Sequence, residues 1–525
     1  MKSNNYDPIQ LEVFKHLFAA IPEEMGAVLQ KSSYSPNIKE RRDFSCALFN
    51  SEGQMIAQAS HIPVHLGAMP LSVIQAIQEI QFAPGDAVIL NDPYRGGTHL
   101  PDITIISPIY IEGTLLGFAA NRAHHADVGG ISPGSMPIAR ELYQEGLIIP
   151  PTKIMNDGII DQNLLELILA NVRTPIEREG DLKAQLASNH RGIQRMKELT
   201  SKYGMSDVRI YSGELLKYTE RMTRKLISDF PDGIFQFTDY MDDDGFMDEP
   251  VKIHVKITIQ GDQALVDFSD SAPQQMGSIN AVYAITLSAV YYVFRCLLSL
   301  DVPNNSGCLV PIEVIAPEGS VVNAIRPAPV AGGNVETSQR IVDVLLGALA
   351  LAAPDKIPAA SQGSMNNTLI GGWDHQRNQP FTYYETIGGG MGARPTKNGF
   401  SAIHSHMTNT LNTPIEALEF SYPFQVLCYE IRKNTGGKGK FIGGDGIRRD
   451  IQLNCPAQVS LLTERRRRQP YGLAGGHQGA RGKNIMIRNN EERDLPGKGT
   501  FDLEEGDILS IQTPGGGGFG YPEKK

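Results

Sequence analysis

Residues 99–125 read HLPDITIISPIYIEGTLLGFAANRAHH, and this stretch decides how the first part of the chain is interpreted. Residues 103–111 are apolar and rich in β-branched side chains, Glu112-Gly113 is a turn pair, and residues 114–120 return the apolar run. The pattern predicts a β-hairpin, although Glu-Gly is a weaker turn dipeptide than Asn-Gly. A two-residue turn sets Asp102 opposite Ala123 and Pro101 opposite His124. His124 thereby arrives beside the segment from His99 to Asp102. Pro101 stiffens the backbone where that segment leaves its loop. Two imidazoles and a carboxylate at one end of a hairpin are a three-ligand set with open positions, as metal-assisted hydrolysis requires. A plainer reading is a local hydrogen-bonded His-x-x-Asp pair at a strand start. Nitrogen and oxygen donors without thiolate favour Mn²⁺, Fe²⁺ or Zn²⁺ and do not separate them. His125 follows His124 directly, so a one-residue slip would exchange their roles.

Outward from the hairpin, both helical and strand periods are legible. Asp7 is an N-cap, Pro8 suits the first helical position, and Gln10 completes a capping box. Ile9, Val13, Phe14, Leu17, Ile21, Met25, Val28 and Leu29 then form one apolar stripe. Residues 44–49 and 55–59 make a hairpin around Ser51-Glu52-Gly53, followed by a helix over 71–80 and a strand over 87–90. Residues 162–227 read as largely helical. Residues 253–259 and 264–268 alternate around Gly261-Asp262 as a further hairpin, and helices follow at 281–300 and 338–352. Beyond about residue 423, short strands at 425–432, 452–462, 484–488 and 508–512 are cut by glycine clusters. The expected fold is α/β or α+β with mixed sheets in two or three domains. The expected division is a metal-bearing region 1–205, a central α+β region 206–415 and a β-rich region 416–525.

The chain has 525 residues, more than one hydrophobic core usually serves. Its 41% hydrophobic and 20% charged content is that of a soluble globular protein. A net charge of −10 argues against nucleic-acid or membrane partners, and the longest apolar run, 344–354, is too short to span a bilayer. Cys46, Cys296, Cys308, Cys428 and Cys455 form no Cys-x-x-Cys pair, and the first residues show no apolar signal segment. A reduced cytoplasmic protein is expected.

Several other groups carry two readings each. His61 and His65, four apart, suit substrate contacts or support of the site, or are loop histidines with local partners. Asp43 follows Arg41-Arg42, and Arg122 precedes His124 by two residues. Such arginines orient a carboxylate or phosphate, and Asp43 accepts from a substrate N–H, unless they form structural salt bridges. Asp127 is placed to steady a ligand imidazole. Gly388–Gly392 and Gly515–Gly518 lack the lysine of a phosphate loop and read as tight turns or close backbone approaches. Gly436-Gly-Lys-Gly-Lys440 reads as a basic turn and Asp242-Asp243-Asp244-Gly245 as an acidic hairpin turn. Arg465–Arg468 reads most simply as a solvated face. His404 and His406 suit packing or substrate contacts.

The segments Ser35–Ala47, His61–Gly67, Asp92–Asp102, His124–Gly130, Glu145–Pro151, Asn334–Arg340, Ile387–Ala393 and Thr513–Phe519 together resemble those of the hydantoinase B/oxoprolinase family, over essentially the whole chain. That family includes the B-type subunits of N-methylhydantoinases, the second half of fused 5-oxoprolinases, and the large subunit of acetone carboxylase. In the carboxylase subunit two histidines and an aspartate of the same motifs hold manganese, and they match His99, Asp102 and His124. The resemblance implies ATP-dependent opening of a cyclic amide such as a hydantoin or 5-oxoproline. It also implies that ATP is bound by an A-type partner subunit, since no Walker loop is present here. The alternatives are a carboxylase-type subunit and a non-catalytic scaffold that keeps the fold.

Overall fold

The structure is a computed structural model that describes residues 6–59 and 61–522. Helix Pro8–Ser32 starts where the sequence dictates, with the Asp7 carboxylate accepting the Ile9 N–H at 2.9 Å. The reciprocal bond from Gln10 does not form, because the Asp7 N–H donates to Tyr211 Oη at 3.4 Å instead. Phe14, Phe18, Ile21, Met25 and Leu29 are buried, while Ile9 and Val13 of the expected stripe face outward. The buried side packs on helix Pro175–Tyr203 and strand Phe44–Asn50. The expected helical stretch 162–227 is three helices, Gln162–Leu169, Pro175–Tyr203 and Met205–Ser228. Gly204 joins the last two at φ +85°, where a side chain would be strained.

The hairpin lies inside a seven-stranded antiparallel sheet. Its order is Met55–Gln58, Phe44–Asn50, Thr114–His124, Asp102–Ile111, Ala87–Leu90, Thr152–Asn156 and Ile159–Ile160. Near the turn the register is the expected one, with Ile111 opposite Thr114 and Tyr110 opposite Leu115. A bulge between Ile109 and Tyr110 then advances it by one residue, so Ile109 faces Gly117 and Asp102 faces His124 rather than Ala123. A bulge adds one unpaired residue to one strand and re-aims everything beyond it. Here it sets two candidate ligands directly across from one another.

A four-stranded sheet follows, in the order Ile312–Ile315, Gln263–Asp267, Val251–Gln260 and Gly233–Met241. Helix Ser338–Ala352 packs on the last two strands and is buried on every face through Ala350, with Arg340 and Asp343 paired to the buried Glu464 and Arg465. Helix Tyr283–Leu297 packs against it and reaches the short turn Pro63–His65 under the first sheet. Ile103, Val255, Ile341, Leu369 and Leu462 all belong to one hydrophobic cluster.

The C-terminal part is β-rich. Gln379–Glu385, Asn367–Asp374, Ala457–Leu462 and Lys498–Leu503 form one sheet. Phe424–Arg432, Gly446–Leu453, Ile508–Gln512, Lys483–Arg488 and Glu491–Leu495 form another. The expected single strand 452–462 is therefore two strands in different sheets, parted at Pro456. Proline has no N–H to continue a ladder.

The acidic and basic runs meet each other. Arg465 is buried, with Nη2 2.7 Å from Asp239 and 2.6 Å from Asp343. The Asp242 carboxylate accepts the backbone N–H groups of Arg466, Arg467 and Arg468 at 2.6, 3.1 and 3.0 Å. The Arg465–Arg468 run is thus a capped, half-buried corner rather than a solvated face, and Asp242–Asp244 are buried rather than a surface turn. The glycine runs are close backbone approaches. Gly389, Gly390, Gly392, Gly443, Gly444 and Gly515–Gly518 lie backbone against backbone, where a Cβ would fall within 3 Å of a neighbouring segment.

Candidate metal centre

The bulged hairpin and the loop before it build the site. Asn91 ties that loop, donating from Nδ2 to Leu100 O at 2.8 Å and to Leu147 O at 2.9 Å. Gly97 is required there, since a Cβ would lie 2.6 Å from the carbonyl oxygens of Asn91 and Asp92. Asp102 Oδ1 then sits 3.1 Å from His99 Nε2 and 3.2 Å from His124 Nδ1. Its Oδ2 accepts from Thr98 Oγ1 at 2.8 Å and meets His65 Nε2 at 3.3 Å. One oxygen is anchored while the other faces both imidazoles. Ligand atoms of His99, Asp102 and His124 all lie within 4.8 Å of one another, and all three residues are buried.

The electrostatics suit a cation. Burial works against the Asp102 carboxylate, yet the His99 imidazole and the hydrogen bonds from His124 and His65 hold it well below the ordinary range. Burial lowers His124 and His65 against the pull of Asp102. A neutral imidazole keeps the lone pair that ligation uses. His124 Nε2 and Asn334 Oδ1 are buried without a partner. A carboxylate oxygen and two imidazoles, all buried, fit a divalent transition ion.

The other expected residues divide. His65 reaches the cluster and braces Asp102, with its Nδ1 2.9 Å from Ser45 Oγ. Asp43 lines the same cavity, its carbonyl accepts the His124 N–H at 3.0 Å, and burial raises its carboxyl. Arg122 is buried beside the cluster, with Nε on Thr104 Oγ1 at 2.8 Å, Nη2 on Ser72 Oγ at 2.6 Å and Nη1 unpartnered. His61 turns away. Its Nδ1 accepts the Cys46 N–H at 3.2 Å, burial brings it down to about 4, and it lines a separate open pocket of about 350 Å³. Asp127 is not brought to the cluster either. Its carboxylate holds Arg173 at 2.8 Å and the Gly129 N–H at 3.2 Å. His125 faces the opposite side of the strand from His124, as alternation demands, with Nε2 3.0 Å from Gln185 Oε1. His406 Nδ1 meets Tyr292 Oη at 3.4 Å, off the cluster.

Three residues of the site were not singled out by sequence. Thr98 anchors Asp102. Tyr384 stacks on His124 with ring centroids 4.4 Å apart. Asn334 Nδ2 lies 3.1 Å from His99 Nε2. Thr98 and Asn334 fall within motif segments, Asp92–Asp102 and Asn334–Arg340, but neither had an evident job there. Asp102, His124, Asn334, Tyr384 and Met407 enclose a cavity of about 20 Å³, enough for roughly one water molecule. Ile62 walls both this cavity and the open pocket that His61 lines.

Glu145 supports the site from behind. Its Oε1 accepts the N–H groups of Val330 and Ala331, each at 2.9 Å, and the Ala331 carbonyl faces His99 Nδ1 at 3.4 Å. Burial raises the Glu145 carboxyl from 4.5 to about 8. Across that window the folded chain keeps a proton that the unfolded chain has released. Stability is therefore lost as pH rises from 4.5 to about 8. Glu145→Gln mimics the protonated carboxyl and is expected to melt with a visibly flatter pH dependence than wild type. Calorimetry at pH 5 and pH 8 checks it, and parallel melting-temperature curves would rule it out.

The chain belongs to the hydantoinase B/oxoprolinase family, whose model matches residues 7–522. An uncharacterised protein of Methanocaldococcus jannaschii is 44% identical over 99% of this chain and 92% of its own length. Arabidopsis thaliana 5-oxoprolinase 1 is 41% identical over 99% of this chain but 42% of its own length, so this chain spans less than half of that protein. A Pseudomonas protein named as the B-type subunit of a D-/L-hydantoinase is 33% identical over 98% of this chain and 90% of its own. Among solved structures, the ATP-dependent caprolactamase of Pseudomonas jessenii has a TM-score of 0.91 at 29% identity, covering 99% of this chain and 92% of that one. Acetone carboxylase has a TM-score of 0.91 at 18% identity, covering 98% of this chain and 76% of that one, a likeness of fold alone.

Proposed function

We propose that this chain is the metal-dependent, ring-opening subunit of an ATP-dependent cyclic-amide hydrolase, acting in the cytoplasm with a separate A-type subunit that binds ATP. The observation that carries the reading is the buried convergence of His99, Asp102 and His124 within 4.8 Å, in a family whose relatives include a 5-oxoprolinase and a B-type hydantoinase subunit. The ring classes favoured are 5-oxoproline and hydantoins. A divalent ion held by those three side chains would draw the pKa of water towards neutral and polarise a carbonyl.

The chain's own residues prepare that chemistry. Thr98 and His65 fix one oxygen of Asp102, so the other is presented to the cluster with its geometry set. Tyr384 holds the His124 ring by stacking, and the Ala331 carbonyl orients His99. Arg122 adds a buried positive charge; burial pushes its pKa down only to about 10, so it stays charged at neutral pH. Asp43 lines the cavity beside His124. The walls exclude bulk water, which protects an activated amide from wasteful hydrolysis.

A ring amide is a poor electrophile, and ATP-dependent activation answers that difficulty. No Gly-x-x-x-x-Gly-Lys-Ser/Thr loop occurs in the chain, and the runs at Gly388–Gly392 and Gly515–Gly518 are packed against other backbone. Activation is therefore assigned to the A-type partner. The carboxylase alternative has a likeness of fold only, whereas caprolactamase, at 29% identity, acts on a cyclic amide.

The test uses the purified chain alone. It is expected to bind about one equivalent of Mn²⁺, Fe²⁺ or Zn²⁺, and His99→Ala and Asp102→Ala should reduce that at least tenfold. It should release no phosphate from ATP. Equal metal in wild type and both variants would remove the site, and steady ATP turnover would place the nucleotide on this chain.

A further inference from the structure

Asn334 lies in the π-helical turn Gly333–Thr337 that leads into helix Ser338–Ala352. The turn is widened because its backbone is drawn against residues 278–280. The N–H groups of Gly332 and Gly333 both donate to Ser278 O, at 2.7 and 3.1 Å. A Cβ on Gly333 would lie 1.8 Å from Asn280 O. Widened turns of this kind often re-aim a side chain into a functional site. Here the side chain aimed is a carboxamide, 4% exposed, on the wall of the cavity beside Asp102 and His124.

Its hydrogen-bonding capacity is unspent. Nδ2 lies 3.1 Å from His99 Nε2, whose lone pair a bound ion would take up, and Oδ1 has no partner. A carboxamide carries two donors and an acceptor, so in the metal-loaded site the carbonyl and the N–H beside it are free on one planar edge. His124 Nε2 is also unpartnered, whereas the neighbouring Asp102, Thr386 and Thr408 are committed. Both Asp102 oxygens are engaged. Thr386 and Thr408 close on Thr410, at 2.9 and 3.4 Å.

In a five-membered ring an amide is locked cis, so its C=O and N–H lie on the same edge. A carboxamide is the complement of that edge and can form two parallel hydrogen bonds with it. We propose that Asn334 reads the cis-amide edge of the ring, with Nδ2 donating to the ring carbonyl and Oδ1 accepting the ring N–H, and so holds it against His99, Asp102 and His124. This rests on the cyclic-amide reading above. After activation of the amide oxygen the ring nitrogen is an acceptor and the ring N–H is gone, so Nδ2 can still donate to that edge while Oδ1 loses its partner. The cavity of about 20 Å³ must widen to take a ring, and its shared wall at Ile62 faces the open pocket from which a ring would come.

The probe pair is 2-pyrrolidinone and N-methyl-2-pyrrolidinone, which share a ring but not the N–H. Affinity is read on the full chain loaded with Mn²⁺, from the ion's paramagnetic broadening of the lactam protons. Wild type is expected to bind 2-pyrrolidinone about tenfold more tightly, the effect of one lost hydrogen bond with a buried acceptor left unpaired. Asn334→Leu, of similar size, should bring the two lactams to within about twofold while keeping wild-type Mn²⁺ content. Asn334→Asp, which keeps the shape without the amide donor, should weaken both. Equal binding of the two lactams by wild type, or a preference retained in Asn334→Leu, overturns the inference. So does loss of Mn²⁺ from both variants, which would make Asn334 a support of the metal. If wild type binds neither lactam while its complex with the A-type subunit opens 5-oxoproline, the inference fails and the functional reading stands. If the complex opens no ring, the functional reading itself falls.

Discussion

Gly390→Ala is expected to destabilise the protein by about 3–5 kcal/mol, enough to abolish soluble expression of a marginally stable chain. The effect is steric. A Cβ at residue 390 would lie 2.0 Å from Gly444 O and 2.3 Å from Gly516 N, where non-bonded heavy atoms settle near about 3.5–4 Å. These obstacles are backbone atoms, and they cannot swing aside as side chains do. Gly390 N donates to Pro514 O at 3.0 Å, Gly444 N to Met391 O at 2.8 Å, and Gly516 N to Gly444 O at 2.9 Å. Moving one segment stretches the others. Gly319→Ala is the control. Gly319 has φ +78° with nothing within 4 Å of its added Cβ, so that change carries only the left-handed backbone penalty, about 1–2 kcal/mol. Soluble yield and thermal melting of the two variants decide between the causes. Comparable melting temperatures would show that glycine at 390 serves backbone freedom and not close packing.

That packing shows where the sequence was readable and where it stopped. Glycine clusters announce close approach or tight turns, but not which segments approach. Gly388–Gly392 and Gly515–Gly518 meet each other across more than a hundred residues, a pairing no local pattern encodes. The Arg465–Arg468 run misled for the same reason. Four arginines read as solvated until Asp239, Asp242 and Asp343 arrive from distant segments to neutralise and cap them. Helix and strand periods served well where apolar residues alternate with polar ones, as in Val251–Gln260. They failed at Glu491–Leu495 and Lys498–Leu503, whose charged residues conceal the alternation, and at Asn367–Asp374, which Gly371 and Gly372 interrupt.

The candidate cluster was largely legible because Asp102 and His124 sit on one hairpin and His99 lies on the loop that enters it. The turn pair and the strand lengths brought His124 to Asp102 within one residue. The remaining residue came from the bulge at Ile109–Tyr110, which no residue type there advertises. Asp127 reads as a partner for an imidazole in sequence, yet Arg173, forty-six positions on, claims it. The role of Thr98 was invisible although its segment Asp92–Asp102 was marked, and Tyr384 was invisible altogether, since a threonine anchor and a stacked ring have no spacing of their own.

The second large effect separates two chemical steps. With the A-type partner present, His124→Ala is expected to leave ATP-dependent activation running while ring opening falls at least a hundredfold. The reason is positional. His124 is one of three candidate ligands, with Nδ1 3.2 Å from Asp102 Oδ1, and two remaining ligands rarely hold a catalytic ion. On the proposed division of labour, activation occurs on the A-type subunit and does not require this imidazole. Phosphate release should therefore continue without ring-opened product, slowed if the activated ring stays trapped. His125→Ala is the internal control, because its imidazole faces Gln185 across the strand, at 3.0 Å from Oε1. It should keep product formation and lose only some stability. Phosphate and ring-opened product are measured in one reaction for each variant. Product lost in His125→Ala and kept in His124→Ala would mean that the working register differs by one residue from the one described. Product kept in both would leave the histidine pair structural and remove the proposed metal centre from the reaction.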